Sequence, residues 1–144
     1  MLVNLVAGLA MMILCLCLQV AFIGWGLRYY LRRIAKLGPA RLMHGGLMAL
    51  LVMMLVLMFG NFLQMFLWGA LFLHLGEFSE LYEAVYHSAV NYTSLGYGDV
   101  VMSKAWKLLG PLEAGNGILM FGMSAATLMA VLQNLLKNSL KQPV

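Results

Sequence analysis

Charged residues are scarce in this sequence. Only 10% of the 144 residues are Asp, Glu, Lys or Arg, whereas 63% are hydrophobic. Soluble globular domains usually contain about 25% charged and about 45–50% apolar residues. The composition excludes an ordinary soluble domain and predicts an integral membrane protein, whose first partner is the lipid bilayer.

Cysteines and catalytic groupings are equally sparse. The 2 cysteines, Cys15 and Cys17, stand two residues apart in an apolar segment, where a helix would point them to different faces and prevent a disulfide between them. The sequence groups no nucleophile with a base and shows no metal-ligand spacing. We therefore expect no enzyme, no cofactor and no nucleic-acid partner.

Long apolar runs take up most of the chain. Crossing a bilayer takes about 20 mostly apolar residues. Three segments without Asp, Glu, Lys or Arg meet that length: 1–27, 42–76 and 114–136. The second is long for one crossing and short for two, so we predict one tilted helix. The first begins without a basic region, so we interpret it as a retained helix rather than a signal peptide.

The few charged residues are sorted along the chain. The acids Glu77, Glu80, Glu83, Asp99 and Glu113 all lie between the second and third apolar segments. Bases crowd the first connection and the C-terminus: Arg28, Arg32, Arg33, Lys36, Arg41, Lys137 and Lys141. Basic loops stay cytoplasmic, which predicts an external N-terminus and a cytoplasmic C-terminus in the plasma membrane. The arginines do not recur every third residue within a span, as a voltage sensor requires, so we interpret them as a topology anchor.

One short segment, here called the signature segment, carries the functional signal. Its residues are Thr93, Ser94, Leu95, Gly96, Tyr97, Gly98 and Asp99. Successive carbonyls of an extended strand point to opposite sides, so aiming them all at one axis requires opposite backbone handedness at alternate residues. Glycine adopts that handedness at low cost, and two glycines stand two residues apart. The segment therefore suits a site for a dehydrated monovalent cation. The predicted ligands are the Ser94 hydroxyl and the carbonyls of Leu95, Gly96 and Tyr97.

The signature segment resembles the potassium channel signature T-[TS]-x-G-Y-G-D, and the chain is similar to bacterial small pore-loop channels. This resemblance implies an all-α membrane protein in the bacterial inner membrane. It also implies a homotetramer that passes potassium ions, because one pore loop cannot close a filter. The implied segments are an extra N-terminal transmembrane helix 1–30, a basic cytoplasmic linker 31–41, and a pore module 42–144. That module comprises an outer helix 42–76, a re-entrant pore helix 78–92, the filter 93–99 and an inner helix 105–136.

Several positions depart from the family pattern. Ser94 stands where threonine is usual, and Val90 replaces an acidic residue that pairs with the filter aspartate in some members. Asp99 must then find another partner, and Trp106 and Tyr86 are the candidates. His87 is predicted to lie mid-helix behind the filter, either as a hydrogen-bonded packing residue or as a proton sensor.

Polar and small residues within the apolar helices carry further predictions. Gly117 and Gly122 resemble the inner-helix hinge of the family, although small residues in membrane helices also serve close packing. Asn61 and Gln64 share a face of the second helix and should bond to a neighbouring helix. Glu113 is expected to bond to the pore helix of its own or a neighbouring subunit. Helical spacing from the two glycines predicts a cavity-facing stripe of Ala125, Ala126, Met129 and Gln133, with a ring of Met129 as the gate and Leu128 facing lipid.

Two alternatives to a potassium-selective channel remain open from the sequence. One is a weakly selective cation channel of the same fold. The other is a non-conducting membrane subunit that assembles with another channel.

Overall fold

A computed structural model of the chain describes residues 1–38 and 41–140. This part is all-helical, without strands, and consists of α1 (Leu2–Ile34), α2 (Leu42–His74), α3 (Leu81–Tyr92) and α4 (Leu109–Leu140). The predicted all-α architecture is confirmed for these residues. Positions 39–40 of the predicted linker and 141–144 of the predicted pore module, which include Lys141, lie outside them.

Three of the helices are long and apolar enough to cross a membrane: α1, α2 and α4. Helices α1 and α2 have 33 residues each, which at about 1.5 Å per residue makes them about 50 Å long. A bilayer hydrocarbon core is about 30 Å thick, so both helices extend beyond it. Each of the three predicted spans thus corresponds to one helix of sufficient length and apolarity, and the second is one continuous helix as expected.

The helix ends differ from the predicted segments by a few residues. Helix α1 continues to Ile34, because Arg32 and Arg33 in its last turn are favourable at a helix C-terminus. Helix α3 begins only at Leu81, since Glu80, the residue before it, has an extended backbone. Helix α4 begins at Leu109, because residues 104–108 form turns.

Helices α2 and α4 each contact all three of the other helices. One core cluster joins all four helices around Trp68 and Tyr92, which are both fully buried. A second cluster, around Tyr30, Met53 and Val131, joins α1, α2 and α4 nearer their other ends. The first cluster therefore holds the C-terminal end of the short α3 against the three long helices.

The close approach of α3 to α2 depends on Gly69. A Cβ at this position would lie 2.9 Å from the Cα of Val85 in α3, which is tighter than real contacts allow. Small residues permit such backbone approach between helices in membranes. In the connection between α2 and α3, Glu77 accepts hydrogen bonds from the Ser103 backbone N–H at 2.6 Å and from the Ser103 hydroxyl at 2.7 Å. These two hydrogen bonds hold the loop after the signature segment against the connection that follows α2.

Candidate functional site

The signature segment follows directly from the C-terminal end of α3. The Ser94 N–H donates to Asn91 O at 2.8 Å and the Leu95 N–H donates to Val90 O at 2.9 Å, the pair of bonds that defines a Schellman helix end. Ser94 has φ +59°, and β-branched residues tolerate that left-handed conformation poorly. Serine in place of the family's usual threonine therefore fits this backbone.

Left-handed backbone recurs at every second residue of the segment. Gly96 has φ +60° and Gly98 has φ +73°, after φ +59° at Ser94, whereas the residues between them do not have positive φ. A Cβ on either glycine would meet nothing within 4 Å. Glycine is therefore required here by backbone conformation and not by lack of space.

All seven residues of the signature segment are exposed in the single chain. The side chain of Leu95 is 54% exposed and that of Tyr97 is 66% exposed, although both are large and one is apolar. Thr93 turns back instead, and its hydroxyl donates to Ala89 O at 2.7 Å. The segment is thus held by α3 at its start but is not packed against the rest of its own chain.

Asp99 at the far end of the segment is held by Tyr86. The Tyr86 hydroxyl donates to the Asp99 carboxylate at 2.7 Å, and the Val100 N–H donates to the other carboxylate oxygen at 3.0 Å. The tyrosine hydrogen bond keeps the pKa of Asp99 below its ordinary value of 3.8. Of the two predicted partners the structure brings Tyr86 to the carboxylate, whereas Trp106 packs against the core cluster around Trp68.

His87 joins α3 to the loop beyond the signature segment. Its Nδ1 lies 3.0 Å from Val100 O, and its Nε2 lies 2.8 Å from the Asn91 amide nitrogen. A carbonyl only accepts and an amide nitrogen only donates, so the neutral ring with its proton on Nδ1 satisfies both contacts. Phe72 and Phe78 flank the ring, and burial lowers the pKa of His87 below 6.5. These contacts favour the packing role over the proton sensor.

Acid should weaken this arrangement, because protonating Nε2 removes the acceptor for Asn91. With a lowered folded pKa, the neutral ring's contribution is complete above pH 6.5 and is lost as the pH falls from 6.5 to the folded pKa. We expect the melting temperature of the purified protein to fall between pH 7.5 and pH 5.5. His87→Gln, which offers one donor and one acceptor, should reduce this fall, whereas His44→Gln should not. Equal pH dependence in wild type and His87→Gln would contradict the assignment.

Asn61 and Gln64 of α2 bond to other helices, as the sequence predicted, and meet at the hydroxyl of Tyr92. This hydroxyl lies 2.9 Å from Gln64 Oε1 and 3.2 Å from Asn61 Oδ1. Two further residues belong to this hydrogen-bonded group but were not predicted from the sequence: Gln19 of α1 and Ser124 of α4. Each is a polar residue within an apolar span, and such a residue needs a hydrogen-bond partner in lipid; this pattern could have identified both.

Glu113 contacts α3 of its own chain, through a hydrogen bond with the Ser88 hydroxyl. The same hydroxyl lies 2.7 Å from Met65 O in α2, so three helices meet at this serine. Both Glu113 and Ser88 are fully buried. Glu113 is therefore a helix-packing residue within the chain and does not reach the signature segment.

The two α4 glycines that resemble the family hinge, Gly117 and Gly122, have different surroundings. A Cβ on Gly117 would lie 1.9 Å from Tyr92 O, whereas one on Gly122 would meet nothing within 4 Å. Gly117 therefore serves close packing of α4 against the end of α3. Gly122 is exposed in the single chain and has no such contact.

The predicted stripe on α4 is exposed in the single chain. Its members are Ala125, Ala126, Met129 and Gln133, and Met129 is 55% exposed. Ala125 and Met129 also line an apolar groove of about 390 Å³ between α2 and α4. Leu128, predicted to face lipid, lines this groove too and packs against the core cluster around Met53.

Comparison with known proteins adds one finding. An ion channel family model matches residues 51–134, which include most of α2, all of α3, the signature segment and most of α4. The chain matches no curated protein and no solved structure. Because the match covers more than half of the 144 residues, the chain belongs to the ion channel family.

Proposed function

We propose that four copies of this chain form a potassium-selective channel, with the signature segment as its filter. The observation that carries the proposal is the left-handed backbone at Ser94, Gly96 and Gly98, every second residue of an exposed segment. Alternating handedness allows successive carbonyls to face one axis. Such carbonyl rings replace the hydration shell of a potassium ion.

The potassium ligands in this proposal are the Ser94 hydroxyl and the carbonyls of Leu95, Gly96 and Tyr97. The ends of the segment have supporting roles, since the Thr93 hydroxyl bonds back to α3 and Asp99 is bonded to Tyr86. Helix α3 has 12 residues, about 18 Å at 1.5 Å per residue, which is too short to cross a bilayer. It acts as a re-entrant pore helix whose negative dipole end lies beside the filter.

A homotetramer accounts for the surfaces that one chain leaves exposed. The signature segment and the α4 stripe around Met129 both lack cover within the chain, and an axis bordered by four copies would enclose them. Four identical copies around one axis have closed cyclic symmetry.

The orientation follows the charges. Arg28, Arg32, Arg33 and Lys36 line one groove at the C-terminal end of α1, and we assign this end to the cytoplasmic side. Glu77 and Asp99 lie at the opposite side, which is then external. The channel would operate in the bacterial inner membrane, with the N-terminus outside and the C-terminus inside.

Reconstitution of the purified chain alone tests this function. Liposomes loaded with potassium salt and diluted into sodium salt should release potassium only when they contain the protein, and a proton ionophore should accelerate the release by balancing charge. Vesicles without protein are the control. No flux from an assembled tetramer would favour the non-conducting subunit, and equal sodium and potassium fluxes would favour the weakly selective channel.

Met129→Ala tests the predicted gate. If four methionines narrow the cytoplasmic end of the pore, shortening them should raise the open probability several-fold in single-channel recordings, because the constriction widens and is wetted more readily.

Met48→Ala is the matched control, since Met48 is 56% exposed on α2 and lies outside the groove that Met129 lines. It should leave the open probability unchanged. If Met129→Ala also does nothing, and a cysteine at Met129 stays accessible from the cytoplasmic side in the closed channel, the gate is at the filter instead.

A further inference from the structure

A chain of buried hydrogen bonds connects all four helices at the base of the signature segment. The Tyr92 hydroxyl donates to Gln64 Oε1 at 2.9 Å, and Gln64 Nε2 donates to Gln19 Oε1 at 2.8 Å. Gln19 Nε2 then donates to the Ser124 hydroxyl at 2.8 Å. The chain therefore runs from α3 through α2 and α1 to α4.

Each member of the chain has its donors and acceptors used in one consistent direction. Ser124 passes its own proton to Met120 O at 3.0 Å, and it also accepts from the Asn61 amide at 3.2 Å. Gln19, Gln64 and Tyr92 are fully buried. Loss of the Gln19 side chain would leave the Gln64 amide nitrogen unpaired, and loss of the Tyr92 hydroxyl would leave Gln64 Oε1 unpaired, which is costly where water is absent.

Tyr92 is held from two sides by these contacts. Its side chain is fixed by the hydrogen-bond chain and by Phe121, whose ring lies edge-on at 5.4 Å between centroids. Its backbone carbonyl lies directly against Gly117 of α4. Tyr92 immediately precedes Thr93, so a displacement of Tyr92 shifts the start of the signature segment.

Gln19 is the one member of the hydrogen-bond chain that lies outside the region matched by the ion channel family model. The family match begins at residue 51, so α1 lies outside it. Asn61 of α2 also links Tyr92 to Ser124, but only Gln19 brings α1 into the hydrogen-bond chain, by bonding to both Gln64 and Ser124. It lies midway along α1, far from both ends of the helix.

We propose that Gln19 is a positioning residue through which α1 sets the conformation of Tyr92 and the inner helix, and thereby the open probability of the pore. Helix α1 lines no part of the proposed conduction path in this arrangement, yet it acts on that path through one amide. The proposal rests on the channel function proposed above.

Double-mutant cycles in single-channel recordings test it. Gln19→Leu removes the amide at similar volume, and Tyr92→Phe removes the hydroxyl at the other end of the chain. Each should lower the open probability about threefold or more, and the double mutant should be no worse than the stronger single mutant, because both break one network. Additive effects would overturn the proposal, as would wild-type behaviour of Gln19→Leu.

Val20→Ala is the control, since Val20 is adjacent to Gln19 but 54% exposed. It should leave the open probability unchanged. If Gln19→Leu does not assemble, Gln19→Asn replaces it, because the shorter amide cannot bond to both Gln64 and Ser124. It should show the same non-additivity with Tyr92→Phe.

Hydrogen–deuterium exchange separates this inference from the channel function. The amides of Leu95 and Gly96 bond to Val90 O, and Gln19→Leu should accelerate their exchange while Val20→Ala should not. This result needs no conduction. If the wild type does not conduct, the function proposal fails, but faster exchange still supports the role of Gln19. Unchanged exchange in a conducting wild-type background would overturn that role alone.

Discussion

Replacing Gly98 with alanine is expected to abolish the preference for potassium over sodium. Gly98 has φ +73°, and an L-residue pays about 1–2 kcal/mol for left-handed backbone. A homotetramer carries this strain four times around one axis. We expect the segment to relax into a conformation that turns a carbonyl away, so that bi-ionic reversal potentials show little or no selectivity, or that no current remains.

Gly76→Ala is the matched control for this substitution. Gly76 has φ +74°, a Cβ there would meet nothing within 4 Å, and it lies at the end of α2 outside the signature segment. The two variants therefore carry the same backbone strain at different places. Gly76→Ala should lower the melting temperature but keep selectivity. Normal selectivity in Gly98→Ala would show that the signature segment is not the filter.

Gly117→Ala is expected to prevent correct packing of α4 on α3. Its Cβ would lie 1.9 Å from Tyr92 O and 2.8 Å from Tyr92 C, both of which are backbone atoms. Helix α4 would have to move by about 1.5 Å to reach an ordinary contact of 3.4 Å. Overpacking of this kind costs about 1–3 kcal/mol or more. We expect little assembled protein on size-exclusion chromatography and no current from what remains.

Gly122→Ala should behave in the opposite way. Its Cβ meets no atom within the chain, and alanine is about 1 kcal/mol better than glycine inside a helix. Assembly should be normal, and a change in open probability alone would assign the hinge to Gly122.

A Gly117→Ala variant that assembles and conducts normally would contradict the contact with Tyr92.

The architecture and the signature segment were predictable because their signals are local. The length of the apolar runs predicted the three long helices, and Gly96 and Gly98 predicted left-handed backbone in the signature segment. The Schellman end at Ser94 was not foreseen, because it depends on which carbonyls of α3 remain free when the helix stops.

Contacts between helices were harder to predict because their partners are distant in sequence. Gln19 and Ser124 are separated by 105 positions, and each alone is simply a polar residue in an apolar run. Gly117 and Gly122 look equivalent in the sequence, yet only one of them meets another backbone. Leu128 was assigned to lipid from helical spacing alone, which could not reveal that α2 covers that side of α4.

The most direct test of the proposed potassium selectivity is the reversal potential of single channels formed by the purified chain, with potassium on one side of a bilayer and sodium on the other. A tenfold permeability ratio displaces the reversal potential by about 59 mV. We predict a displacement of at least that size towards the potassium equilibrium potential, and its loss in Gly98→Ala but not in Gly76→Ala. A reversal potential near zero for the wild-type channel would contradict a potassium-selective filter.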